Sequence, residues 1–236
     1  MVISPLLRGL LGLEVDSTAR RLRFSPHVPA QWDEFEVQNL RVGKATLHLA
    51  YRRTNDAVTL EMKQESAEEW VMEFSPAISP RAKVVGVEIN NRPVAYRLEA
   101  NSSDQHVILR FPVLGGRNSV RVLVRDDFSL DVPTTLPPLG ASSRNPRIVS
   151  EIWDARRDRL ELEVAGLAGT EAEIGITGSA QISHVEGAEL DTSHQGESKL
   201  RVKFPAADEL IFVQRRVMIQ FAATTAGATQ EKGAGR

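Results

Sequence analysis

Cysteine is absent from the 236 residues. That excludes disulfides, thiolate nucleophiles and zinc sites built on sulfur, and leaves stability to apolar burial and backbone hydrogen bonds. Aromatic side chains are few, with three Trp and two Tyr beside eight Phe, so material for a flat sugar-binding platform is scarce. No surplus of one charge exists: the formal charge is −2 and the basic residues are scattered, which argues against nucleic acid or an anionic membrane as partner. Apolar runs long enough to span a bilayer are missing, as is a basic segment leading into an apolar one at the N-terminus. With neither signal peptide nor membrane span in the chain, the compartment stays open between cytoplasm and periplasm.

What is present is alternation. Leu47, Leu49 and Tyr51 fall on one side of a run whose other side is Thr46, His48 and Arg52. Val58, Leu60 and Met62 alternate with Thr59, Glu61 and Lys63, and Val120, Val122 and Val124 with Arg121 and Arg125. Val107, Leu109 and Phe111 interleave with His106 and Arg110. Further along, Leu160, Leu162 and Val164 stand against Glu161 and Glu163, and Leu200, Val202 and Phe204 against Lys199, Arg201 and Lys203. Successive strand side chains point to opposite faces, so each run reads as a strand with one buried side. Thr54-Asn55-Asp56, Asn90-Asn91 and Gly115-Gly116 supply turn chemistry between them. No 3.6-residue stripe follows residue 14. The pattern predicts an all-β protein, an antiparallel β-sandwich built as two packed β-units.

Pro133, Pro137, Pro138 and Pro146 interrupt the rhythm, and proline removes a backbone donor and fixes φ. Residues 129–146 are therefore expected to be a crossing or linker between a first β-unit at 15–128 and a second at 147–222. Residues 223–236 are Ala/Thr/Gly-rich with nothing to bury, and are expected to be a disordered tail. Residues 1–14 are apolar but too short for an independent helix, since about 12–15 residues are marginal in water. They read as a helical remnant whose packing partner lies elsewhere.

Candidate chemistry is sparse. The adjacent acids Asp33-Glu34, Glu68-Glu69 and Asp126-Asp127 point to opposite faces if extended, and at turns they read as solvated charges rather than a catalytic pair. His27, His48, His106, His184 and His194 show no short metal-binding spacing. His48 and His106 are placed on outward strand faces, and His27, between Pro26 and Val28-Pro29, is expected to bond within its loop. No nucleophile elbow or phosphate-binding glycine loop occurs. No catalytic residue, cofactor or metal is assigned. Trp70 alternates with Met72 and Phe74 and is read as core. Trp32 is read as a plug pinning its loop to the sheet. Trp153, just before the Asp154–Asp158 turn, is expected to be the most exposed of the three.

Arg8-Gly-Leu-Leu-Gly-Leu13, Ser25-Pro-His-Val-Pro-Ala-Gln-Trp32 and Leu40-Arg-Val-Gly43 together resemble the C-terminal part of bacterial amylo-α-1,6-glucosidase (glycogen-debranching-type) proteins. The proline-punctuated loop ending in Trp, ahead of a strand pair, is similar to that of other six-hairpin glycosidases, with Val28 where leucine is usual. Val85–Val94 resembles their strand–turn–strand hairpin, with Asn91 in place of glycine. The resemblance covers the first β-unit well and the second loosely. It implies a non-catalytic accessory β-sandwich that packs on and stabilises a helical (α/α)6 catalytic barrel in the same or a neighbouring polypeptide. In that family the catalytic carboxylates come from the barrel.

On this reading Leu6, Leu7, Leu10, Leu11 and Leu13 form an exposed apolar patch where the barrel docks, and the patch would also drive self-association. The alternative is a stand-alone carbohydrate-binding module acting through Trp153 or Trp32.

Overall fold

The alternating runs fold as strands that close over two separate hydrophobic cores. A computed structural model describes residues 6–29, 32–66, 68–194, 197–208 and 211–222. The expected tail at 223–236 and the first five residues lie outside them. A single π-helical turn at Leu6–Leu10 precedes β1 (Leu13–Asp16), β2 (Arg21–Phe24), β3 (Glu34–Val42), β4 (Ala45–Arg53), β5 (Ala57–Gln64) and β6 (Trp70–Phe74). There follow β7 (Ala77–Ile78), β8 (Lys83–Ile89), β9 (Arg92–Pro93), β10 (Arg97–Ala100), β11 (Gln105–Val113) and β12 (Gly116–Arg125). The remainder runs β13 (Ser129–Asp131), β14 (Arg147–Trp153), β15 (Arg159–Leu167), β16 (Glu171–Thr177), β17 (Ile182–Glu186), β18 (Glu189–His194), β19 (Glu197–Lys203) and β20 (Phe212–Phe221). No described helix is long and apolar enough to cross a membrane.

Strands β1 to β12 build two sheets. Sheet I runs β1-β2-β6-β11-β10, with β7 also on β11, and sheet II runs β3-β4-β5-β12-β8-β9. All pairings are antiparallel except β2 with β6, which pair in parallel. Between the sheets lie Leu47, Leu49, Leu60, Met62, Met72, Phe74, Leu109 and Val122, all at most 2% exposed. Their strand neighbours Thr59, Glu61 and Arg121 are turned outward, as a period of two requires. Each fully buried Leu or Val contributes about 1.5–3 kcal/mol relative to exposure. The edge strand β3 is broken by a bulge between Val37 and Leu40, with Asn39 at φ 56°. A bulge on a charged edge also discourages pairing with another chain. The β8–β9 turn places Asn90 and Asn91 at φ 51° and 61°, the paired left-handed conformation that a two-residue hairpin needs and that Asn tolerates.

Strands β13 to β20 build sheet III, ordered β13-β16-β19-β18, and sheet IV, ordered β14-β15-β20-β17. Leu162, Ile174, Leu200, Val202, Val217 and Ile219 meet between them with no exposed surface. The proline-rich stretch differs from a simple linker. Ser129–Asp131 is already a strand on β16, and Phe128 belongs to the second core. The rest projects as a loop whose arms are clasped, Asn145 Nδ2 donating to the Thr135 carbonyl at 2.8 Å and Thr135 Oγ donating to Asn145 Oδ1 at 2.9 Å. Leu136 and Leu139 stand at its tip, fully in solvent.

Candidate functional site

A solvent-open cleft of about 340 Å³ lies where the two cores meet, and it gathers residues far apart in sequence. Val28, Pro29 and Trp32 come from the β2–β3 loop, Asp104 from the turn before β11, and Glu151 and Trp153 from β14. Its volume is in the range of small-molecule sites. Both tryptophans singled out from the sequence line it, in exchanged roles. Trp153 is 8% exposed and Trp32 is 41% exposed.

Strand register explains the exchange. Trp153 is the last residue of β14 and faces the second core, stacked on Phe221 at 5.3 Å between ring centroids and edge-on to Phe128 at 6.0 Å. The turn after it is closed by Asp154, whose carboxylate accepts from the amides of Asp158 and Arg159. Trp153 Nε1 donates to Glu151 Oε1 at 2.9 Å. Trp32 lies outside any strand, its amide donating to the Pro29 carbonyl at 2.9 Å, and its ring forms a wall of the cleft rather than a plug. Trp70 is buried at 2% exposure, as its alternation requires.

The cleft carries fixed charges of both signs. Arg53 reaches Asp127 Oδ2 through Nη2 at 2.6 Å and Nε at 3.0 Å, and the Ser79 amide donates to Asp127 Oδ1 at 2.9 Å. Asp127 is thus a buried structural acid, 4% exposed, not the solvated turn charge its sequence position implied. Burial works against the Arg53 charge, but Asp127 and Tyr51 together outweigh it and the guanidinium pKa is held above its ordinary value. Burial pushes the Glu151 carboxyl up, the Trp153 hydrogen bond opposes this, and Asp104 adds to the rise. Asp33 also borders the cleft, while its neighbour Glu34 turns out to meet Arg52 at 3.1 Å. Fixed acceptors beside an exposed indole are the combination that holds a polyhydroxylated ring: hydroxyls on the acids, C–H faces on the aromatic.

The histidines also depart from expectation. His106 is 8% exposed rather than outward, and His27 bonds outside its own loop, with Nε2 3.2 Å from Asp104 Oδ2. The three residues place one ligand atom each within 4.8 Å of one another. No local spacing announces this, since 77 residues separate His27 from Asp104. His48 faces Glu65 at 3.7 Å on the far side of β4.

The expected leucine patch is corrected in part. Leu11 and Leu13 are 5% and 4% exposed and belong to the first core, where Leu7 also packs; Leu10 is half-buried, and the Leu6 side chain lies outside the described residues. The cause is backbone pairing. The Ser25 amide donates to the Gly12 carbonyl at 3.2 Å and the His27 amide to the Leu10 carbonyl at 3.0 Å, which draws the segment onto the sandwich. Gly12 makes the approach feasible, because at φ +56° a Cβ there would lie 2.2 Å from the Ser25 carbonyl oxygen.

No protein-family model matches the chain, and no curated protein matches it. Among solved structures it is similar to the crystal structure of a GH127 β-L-arabinofuranosidase from Geobacillus stearothermophilus T6, at 13% identity and a TM-score of 0.39. The match covers 88% of this chain and 32% of that one, so this chain spans about a third of its length. A likeness that loose carries neither fold nor activity across.

Proposed function

We propose that the chain is a non-catalytic accessory β-sandwich region of a glycoside hydrolase of the amylo-α-1,6-glucosidase type, which packs on and stabilises a helical (α/α)6 catalytic barrel. The observation that supports this reading most is the behaviour of residues 20–43, which include the resembling segments Ser25–Trp32 and Leu40–Gly43. They form the passage from sheet I to sheet II, β2 then the proline loop then β3, and so set how the sandwich begins. The Asn90-Asn91 turn, at the hairpin the resemblance points to, is consistent with it. The test is the coding DNA upstream of Met1 in the native locus. A long in-frame stretch encoding repeated helices and acidic loops is the expected result. An in-frame stop followed by a ribosome-binding site would overturn it.

A second reading is favoured by one specific observation, the exposed Trp32 ring over a cleft lined by Asp33, Asp104 and Glu151. Here the chain binds carbohydrate. Titration with maltodextrins and other α-glucans should shift the tryptophan fluorescence of the wild type and leave Trp32→Ala unresponsive. No shift at millimolar sugar would sink this reading for those ligands.

A further inference from the structure

We propose that His27, Asp104 and His106 form a binding site for a divalent transition metal of the zinc class, which ties the β2–β3 loop to β11. The inference rests on these three side chains and not on the glycosidase reading.

The tautomer of His106 is the first step. Its Nδ1 lies 3.1 Å from the Ser75 carbonyl and 3.0 Å from the Ser75 hydroxyl. A carbonyl only accepts, so with Nδ1 donating to it the Nε2 lone pair faces the other way. Facing it, at 3.5 Å, is Asp104 Oδ2. The second Asp104 oxygen is already engaged, Oδ1 accepting from Asn101 Nδ2 at 2.9 Å. Two acceptors then face each other beside a largely buried ring, and a cation between them satisfies both.

Distance selects which cation. A charge-assisted N–H to carboxylate hydrogen bond closes to about 2.7–2.9 Å, well short of 3.5 Å. Two ligand atoms on one tetrahedral zinc, with bonds of about 2.0–2.2 Å, sit about 3.3–3.5 Å apart. The two separations here, 3.2 Å from His27 Nε2 and 3.5 Å from His106 Nε2 to the same carboxylate oxygen, straddle that edge length. The rings of His27 and His106 lie 4.9 Å apart between centroids, tilted by 43°, and the three ligand atoms lie within 4.8 Å of one another. Two imidazoles and one carboxylate suit zinc and its first-row neighbours. The Ser75 and Asn101 contacts supply the outer hydrogen bonds that orient ligands in built metal sites. Three protein ligands leave a fourth position for water, and the His27 side chain, 53% exposed, leaves the site open to solvent.

The experiment uses the full chain stripped with chelator, then titrated calorimetrically with Zn²⁺ and assayed for retained metal after gel filtration. Expected are one zinc per chain and a melting temperature that rises by a few degrees with zinc concentration. His27→Ala, at a half-exposed position, and Asp104→Asn should each weaken affinity at least about tenfold, while His48→Ala leaves it intact. If His106→Ala fails to fold, those two variants still decide. Zinc held equally by His27→Ala and Asp104→Asn overturns the site. So does failure of the wild type to retain zinc, with nitrogen NMR finding His106 protonated on both ring atoms, a proton then filling the place.

Discussion

The Arg81 guanidinium lies 4.4 Å over the ring of Phe221, joining the first core to the last strand of the second. The side chain is 4% exposed, and it donates to the carbonyls of Arg157 and Ala222 and to Gln181 Oε1. Burial pulls its pKa below the ordinary arginine value, with Asp158 at 3.6 Å opposing. One residue of the first unit therefore holds three separate segments of the second.

Arg81→Ala should lower stability by about 2–4 kcal/mol, from acceptors left without a donor and the lost cation–π contact. Arg81→Lys should recover little, because an ammonium cannot reproduce the planar fork. Calorimetry is the check: the wild-type transition should split, with the second core melting first. A single unshifted transition in Arg81→Ala would refute the clip.

The two cleft tryptophans should separate under urea denaturation. Trp153→Ala removes a ring stacked on Phe221 and should cost about 3–5 kcal/mol. Trp32→Ala removes an exposed wall and should cost less than about 1 kcal/mol. Equal losses would contradict the burial difference.

Gly166 in β15 leaves no room for a methyl group. A Cβ there would lie 2.2 Å from Phe204 Cε2 and 2.5 Å from Cζ. Gly166→Ala should destabilise by about 1–3 kcal/mol through overpacking. Phe204→Leu in that background should restore part of the loss, a coupling visible in a double-mutant cycle of thermal melts.

Glu151 carries a pH dependence of definite sign. Its folded pKa is raised by burial from the ordinary 4.5, so the native state holds the proton more tightly than the unfolded one. That contribution is complete below 4.5 and is lost as pH climbs through the raised folded value. Glu151→Gln keeps an oxygen for Trp153 Nε1 and removes the titration. The variant should match the wild type near pH 4 and melt higher at pH 7 and above. Parallel melting curves against pH would refute it.

The fold was legible in the sequence where burial follows the two-residue repeat. Val58, Leu60 and Met62 face the core while Thr59, Glu61 and Lys63 between them are polar or charged, and nothing beyond the run is needed to know it. Trp153 misled because it both ends a strand and begins a turn, and register, not proximity to Asp154, sets its face. Asp127 read as a solvated turn acid because its partner Arg53 lies 74 residues away. The approach of His27 to His106 depends on β2 lying beside β6 and β6 beside β11. Such pairings are decided by how whole strands stack, and no short window of residues encodes them.

Strand β20 has a consequence for how the molecule is made. It lies inside sheet IV, between β15 and β17, and brings Val217, Ile219 and Phe221 to the second core. Every strand of sheets I and II has emerged from the ribosome by Arg125, so the first sandwich can close early. The second must wait, its half-built sheets showing apolar faces to water or to chaperones, until the last described strand slides into the gap. A nascent chain halted before Phe212 would thus carry one finished sandwich and one sticky, unclosed one.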